Sequence, residues 1–207
     1  MKNENISVFR KNKCPKKKIL FLGYNRDRTK IIDLLLSEGC EVHHSKNIVY
    51  KFKYDLIICF GYRQILKPSY LEKISCPIIN LHTSYLPYNR GAHPNFWSFF
   101  DNTPKGVTIH LIDSNIDTGP ILYQVPMHFN ERELTFRDTY YKLIDEIEIL
   151  FKKNIREILN GNWKERPQMG TGTFHSIRDL PKQFLGWEEN IRTEISRLKK
   201  LAGNSNG

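Results

Sequence analysis

No stretch of this chain approaches the ~20 consecutive apolar side chains that a membrane-spanning helix needs. The segment from Met1 to Lys18 is polar and basic where a secretory leader carries an apolar core, so no signal peptide is expected and the expected location is cytoplasmic. Cysteine is scarce. Cys14, Cys40, Cys59 and Cys76 are widely and irregularly spaced with no C-x-x-C pair, which excludes the usual zinc and dithiol patterns and leaves reduced, mostly buried thiols. The seven histidines include no H-x-x-x-H pair, and His43 and His44 are adjacent, so a metal hydrolase is the least supported enzyme class and no metal is expected. Phosphate-cradling glycines are also missing: Gly23-Tyr24-Asn25-Arg26-Asp27 holds one glycine, without G-x-G-x-x-G or a P-loop.

What is present is globular in character. The 207 residues are 40% hydrophobic and 12% aromatic, enough for a sizeable core and against wholesale disorder. The formal net charge of +10 is concentrated at one end. Lys2, Arg10, Lys11, Lys13, Lys16, Lys17 and Lys18 face only Glu4, so residues 1–17 read as a basic tail and the rest carries little excess charge. The folded part is therefore not marked as a nucleic-acid binder, and neither nucleic acid nor membrane is an expected partner.

The hydrophobic pattern predicts an α/β domain over 18–162 and a loop-and-helix appendage over 163–207. Lys18 to Gly23 reads as a buried first strand, Arg26 to Glu38 as an apolar helix stopped by Gly39, and Cys40 to His44 and Asp55 to Phe60 as two more strands. Strand, helix, strand in this order implies a Rossmann-like, mostly parallel twisted sheet flanked by helices. Pro77 to Leu81, Gly106 to Ile112 and Ile121 to Val125 are further strands, with a short aromatic helix from Asn95 to Phe100. Phe96, Trp97, Phe99 and Phe100 are expected in the core rather than on a ligand. Thr135, with Asp138 as capping partner, opens the longest helix, whose Phe136, Tyr140, Leu143, Ile147, Leu150 and Phe151 stripe is core packing and which Gly161 stops. Pro167 to Pro181 reads as loop, and Ile191, Ile195, Leu198 and Ala202 line one face of a last helix, a candidate homodimer surface.

The chemistry centres on Ile79-Asn80-Leu81-His82. Residues two apart in a strand point to one face, about 6.5–7 Å apart, so Asn80 and His82 project together. An amide donor beside an imidazole suits a reaction that develops an oxyanion and moves a proton. Asp117, in the turn-rich stretch Asp113 to Pro120, is a candidate to orient the imidazole, with Asp113 as the rival. Taken alone, the pair is also what a strand-end histidine satisfied by a backbone carbonyl looks like.

The ordered set Asn80-Leu81-His82, Ser84-Tyr85-Leu86-Pro87, Arg90-Gly91, Gly106-Val107-Thr108-Ile109-His110 and Asp117-Thr118-Gly119-Pro120 resembles the folate-dependent formyltransferase family over residues 18–127. The resemblance implies transfer of the formyl group of N10-formyltetrahydrofolate to an amine. Asn80 and a protonated His82 would stabilise the tetrahedral oxyanion, with Asp117 tuning the imidazole and His110 in possible support. It further implies a folate site between Tyr62-Arg63-Gln64-Ile65-Leu66 and the backbone from Ile112 to Ile116; Tyr62, Gln64, Ile65, Leu66, Ile112, Asp113 and Ile116 are the expected cofactor contacts.

Within that family the loop Tyr85 to Trp97 is most similar to the N-formyltransferases of nucleotide-linked amino sugars. A dTDP- or UDP-linked amino-deoxy sugar is accordingly the expected acceptor, with Ser84, Tyr88, Asn89, Arg90, Gly91 and His93 as its expected contacts. Tyr88 or Trp97 is placed to stack on a sugar or base, and Thr171 to His175 reads as irregular cover, with a return to the acceptor site as the alternative. About 45 residues follow the long helix, which argues against a tRNA acceptor. Glycinamide ribonucleotide formylation and a non-catalytic folate or nucleotide-sugar binding module are the competing readings.

Overall fold

The protein is described as a computed structural model over residues 6–50 and 53–204; Lys2 and Glu4 of the basic tail and the last three residues of the polar end lie outside the described residues. A seven-stranded mixed sheet runs in the order β1-β3-β2-β4-β5-β7-β8. Its centre is parallel: β2 (Lys18–Gly23) lies between β3 (Glu41–Ser45) and β4 (Leu56–Phe60), and β4 pairs with β5 (Ile78–His82). Antiparallel pairs finish both sides, β5 with β7 (Lys105–Leu111), β7 with β8 (Ile121–Met127), and β1 (Ser7–Phe9) with β3.

The edge strand β1 corrects the reading of residues 1–17 as a tail throughout. Ser7–Phe9 pair with Val42 to His44, and Arg10 reaches Glu41 Oε2 at 3.8 Å, so part of the basic stretch is tied to the sheet. The first helix is shorter than its apolar pattern predicts. It spans Ile31–Ser37 (α1) because Arg28 N donates to Asn25 O and closes a turn before it.

Alternation divides the apolar residues between the two faces of the sheet. Phe21, Ile58, Ile79, Leu81, Val107 and Ile109 pack on one face with α1 and with α4 (Phe136–Asn160). Helix α4 begins at the predicted Thr135/Asp138 capping box and ends at Gly161 in the left-handed conformation, φ 71°. Leu20, Leu22, Ile57, Cys59 and Ile78 form a second cluster on the other face with Leu66 and Tyr70; Tyr70 belongs to the short helix α2 (Pro68–Leu71). A third cluster joins α3 (Pro94–Phe100), the start of α4 and α5 (Ile191–Asn204). Phe96, Trp97 and Phe99 are buried there, as expected, with Phe100 packed against them.

The C-terminal segment does more than cover the sheet. Phe174–His175 (β9) pair in parallel with Arg90–Gly91 (β6), so the stretch read as irregular cover contains a short strand paired with the loop after β5.

Candidate active site

Asn80 and His82 share the face of β5 opposite Ile79 and Leu81, and the antiparallel neighbour β7 sets His110 beside Asn80 and Thr108 beside His82. The loop from Asp113 carries Asp117 onto this polar patch. Its backbone is left-handed, φ 54°, a conformation that an aspartate adopts more readily than bulkier residues. Asn80 Nδ2 donates to Asp117 Oδ1 at 3.0 Å and lies 3.3 Å from His110 Nε2. The other carboxylate oxygen, Oδ2, accepts the Gly91 N–H at 2.9 Å and stands 3.8 Å from His82 Nδ1. Asp113 is occupied elsewhere: its carboxylate takes the Thr118 hydroxyl at 2.7 Å and the Asn115 N–H at 3.1 Å. Of the two aspartates, Asp117 is the one that stands beside the histidines.

The two histidines differ in their attachments. His110 Nδ1 donates to the Leu111 carbonyl at 2.7 Å, so in the neutral ring Nε2 keeps a lone pair for the Asn80 amide. His82 Nε2 donates to the Asn89 carbonyl at 3.1 Å, which leaves Nδ1 toward Asp117. Burial pulls His82 below the ordinary histidine range, against the attraction of Asp117. Burial thus favours the neutral ring at rest, and a proton taken up on Nδ1 would lie beside the Asp117 carboxylate. For Asp117, burial acts to raise the pKa, but the His82 charge, the His110 contact and the Gly91 N–H outweigh it and hold the carboxyl well below its usual range. Cys59, paired with Asn80 across the sheet, has its thiol pushed up by burial and by Asp117, so it is no thiolate nucleophile.

The expected acceptor contacts separate into two groups. Ser84 and Asn89 are buried braces: the Ser84 hydroxyl donates to the Tyr88 carbonyl at 2.9 Å, and the fully buried Asn89 side chain is shared by Thr103 and Thr173. Tyr88, Arg90, Gly91 and His93 remain partly exposed on the same loop. His93, left-handed at φ 54°, packs its ring against Trp187, and burial with the Arg63 charge lowers its pKa. Arg90 donates through Nε and Nη2 to Gln168 Oε1 at 3.0 and 2.8 Å. Trp97 is stacked on His175 at 3.8 Å and buried, so it is not a stacking surface for a ligand.

On the expected folate side, Tyr62, Leu66 and Ile112 join the apolar cluster on the site's face of the sheet, while Ile65 and Ile116 are exposed at 68% and 39%. Tyr62 Oη donates to Gln64 Oε1 and Gln64 Nε2 to Asn47, linking the loops after β4 and β3.

Two residues that hold the site were not among the expected site residues. Thr108, fully buried, donates to Ser84 O at 2.7 Å and accepts from Leu86 N and Gln124 Nε2, fixing the loop that leaves β5. Alternation along β7 was the signal that placed it on the site's face. Gln168 bonds the carbonyls of Asp117 and Gly119 at 2.8 and 2.9 Å, and no motif announces it.

The family model described as formyl transferase matches residues 33–153. The chain is 28% identical over 155 residues to a dTDP-4-amino-4,6-dideoxyglucose formyltransferase of Mycobacterium bovis, covering 75% of this chain and 58% of that one. It is 35% identical over 175 residues to a methionyl-tRNA formyltransferase of Thermosipho africanus, covering 82% and 53%. The chain thus spans little more than half the length of these curated relatives. Among solved structures, the formyltransferase PseJ from Anoxybacillus kamchatkensis, crystallised with UDP-4,6-dideoxy-4-formamido-L-AltNAc and tetrahydrofolate, superposes with a TM-score of 0.80 at 39% identity, over 87% of this chain and 98% of that one. The chain belongs to the formyl transferase family.

Proposed function

We propose that this protein transfers the formyl group of N10-formyltetrahydrofolate to the amine of a nucleotide-linked amino-deoxy sugar, dTDP- or UDP-linked, with Asn80, His82 and Asp117 as its catalytic residues. The observation that carries the reading is the meeting of those three side chains: the Asn80 amide donates to Asp117 at 3.0 Å, and the buried His82 imidazole stands 3.8 Å from the same carboxylate. The near-complete match to PseJ supports a UDP-linked 4-amino sugar as the first acceptor to try.

In the proposed reaction the acceptor nitrogen attacks the formyl carbon and the carbonyl electron pair moves onto oxygen. The Asn80 amide turns an N–H to that oxyanion. The proton lost by the attacking nitrogen passes to His82 Nδ1, where Asp117 makes the imidazolium favourable, and is delivered to N10 as the C–N10 bond breaks.

The experiment supplies N10-formyltetrahydrofolate with a panel of dTDP- and UDP-amino sugars, glycinamide ribonucleotide and methionyl-tRNA, and identifies the product by mass. A formylated nucleotide sugar is the expected result. Formylation of glycinamide ribonucleotide or methionyl-tRNA alone overturns the acceptor assignment, and donor binding without turnover on any acceptor turns the protein into a binding module.

A further inference from the structure

Gln168 lies in an otherwise exposed run: from residue 164 to 170 it alone is partly buried. The segment is held there by a two-way bridge in which Ile121 N donates to Arg166 O at 2.7 Å and Arg166 N to Ile121 O at 2.9 Å. A primary amide offers two N–H donors and one oxygen with two lone pairs. All four are engaged. Nε2 donates to Asp117 O and Gly119 O, and Oε1 accepts Nε and Nη2 of Arg90. The amide thus clamps the main chain on both sides of Thr118 and joins it to the loop that supplies the Gly91 N–H to the same aspartate.

We infer that Gln168 is a positioning residue for Asp117. The inference rests on the proposed role of Asp117 in formyl transfer. A carboxylate that must meet Asn80 and His110 through one oxygen and Gly91 and His82 through the other tolerates little rotation of its own backbone. That backbone is left-handed, a conformation that persists where surrounding contacts hold it. The contacts inside the loop, Thr118 on Asp113 and Asn115 on Asp113, close the turn but leave the Asp117 carbonyl untouched. Gln168 supplies the missing hold from outside, and by using Arg90 as its second anchor it makes the position of the carboxylate depend on the acceptor loop. The segment after α4 becomes part of the reaction site through this one side chain.

The test compares Gln168→Leu, which removes every hydrogen bond, with Gln168→Glu, which still accepts from Arg90 but sets a carboxylate against two carbonyls. Both are expected to lower kcat by ~10-fold or more with the KM for the formyl donor within about twofold, a cost in line with misplacement of a reacting group. A substrate-independent readout accompanies it: the His82 imidazole titration by NMR, identified by its loss in His82→Asn. The charged and titratable groups that face His82 are Asp117 and His110, so a displaced Asp117 moves that titration in Gln168→Leu even if no acceptor has been found. A wild-type titration in Gln168→Leu overturns the inference, as does wild-type kcat in both variants. If Gln168→Glu alone keeps full turnover, the residue serves only to anchor Arg90 and the inference is likewise overturned. Absence of turnover in the wild type, with the titration shifted in the variant, counts against the formyl-transfer reading and leaves the positioning role standing.

Discussion

Asp117 Oδ2 accepts the backbone N–H of Gly91 at 2.9 Å, which ties the loop after β7 to the loop after β5 across the face of the sheet. Gly91 itself holds φ 87°, and a Cβ there would lie 2.3 Å from the His175 carbonyl, so only glycine lets β6 and β9 approach. Gly91→Ala is expected to force the two strands apart, to cost about 1–3 kcal/mol of stability, and to lower turnover by moving the N–H off the carboxylate. Thermal melts and kcat in parallel check it; an alanine variant with unchanged Tm and rate would contradict the close contact.

The reaction reading predicts that His82→Asn and Asp117→Asn fold normally and lose turnover by ~10²-fold or more, the usual effect of removing one proton-transfer or oxyanion group. Near wild-type rates in either variant would sink the assignment. Asp113→Asn serves as the internal comparison: its carboxylate holds Thr118 and Asn115 rather than the histidines, so its effect on kcat is expected to be much smaller.

Much of this frame was legible because it follows local chemistry. Lys18–Gly23 and the Thr135 start and Gly161 stop of α4 agree with the sequence residue for residue, since an apolar run ending in glycine and a Thr/Asp capping box are written in neighbouring positions. The shared face of Asn80 and His82 follows from the period of a strand. What stayed hidden depends on distant partners. β1 carries only Val8 and Phe9 as large apolar residues and exists through its pairing with β3. Ser84 and Asn89 look like ligand-facing polar residues until Tyr88 O, Thr103 and Thr173 are seen to satisfy them. Gln168 is separated by 51 residues from the aspartate whose carbonyl it bonds, and one glutamine in a loop has no signature.

Thr108 tests whether the loop after β5 is held as the hydrogen bonds imply. Thr108→Val keeps the shape but leaves the Ser84 carbonyl and the Leu86 N–H without their partner in a buried place. Buried polar groups left unpaired cost roughly 1–3 kcal/mol each, so at about 2–4 °C per kcal/mol for a chain of this size a fall in Tm of roughly 4 °C or more is expected. Ser84→Ala removes a single hydroxyl bond, to Tyr88 O, and is expected to cost less. Reversal of that order would show that the loop is fixed by other contacts.

Acid should loosen the fold in two stages. Burial holds both His82 and His93 below the ordinary histidine range, His82 in spite of Asp117 and His93 with help from the Arg63 charge. In the unfolded chain both take a proton near about pH 6.5. Below that pH the unfolded state binds more protons than the folded one, so stability falls as pH drops. Asp117 acts in the same direction at lower pH: its carboxyl stays ionised in the fold where the unfolded one, at about 3.9, is taking up a proton. Its contribution is complete above about pH 5 and is lost toward acid. Tm measured from pH 4 to 8 is therefore expected to rise with pH. His82→Asn should flatten the upper part of the rise and leave the His93 share. It should also weaken the lower part, because the His82 charge is among the forces that keep Asp117 ionised. Asp117→Asn should flatten the lower part alone, since the attraction it removes opposes the lowering of His82. An upper slope unchanged in His82→Asn would mean that the imidazole titrates alike in the folded and unfolded chain, and a steeper one that it rests charged, so that its proton would have to leave before it could accept one from the acceptor amine.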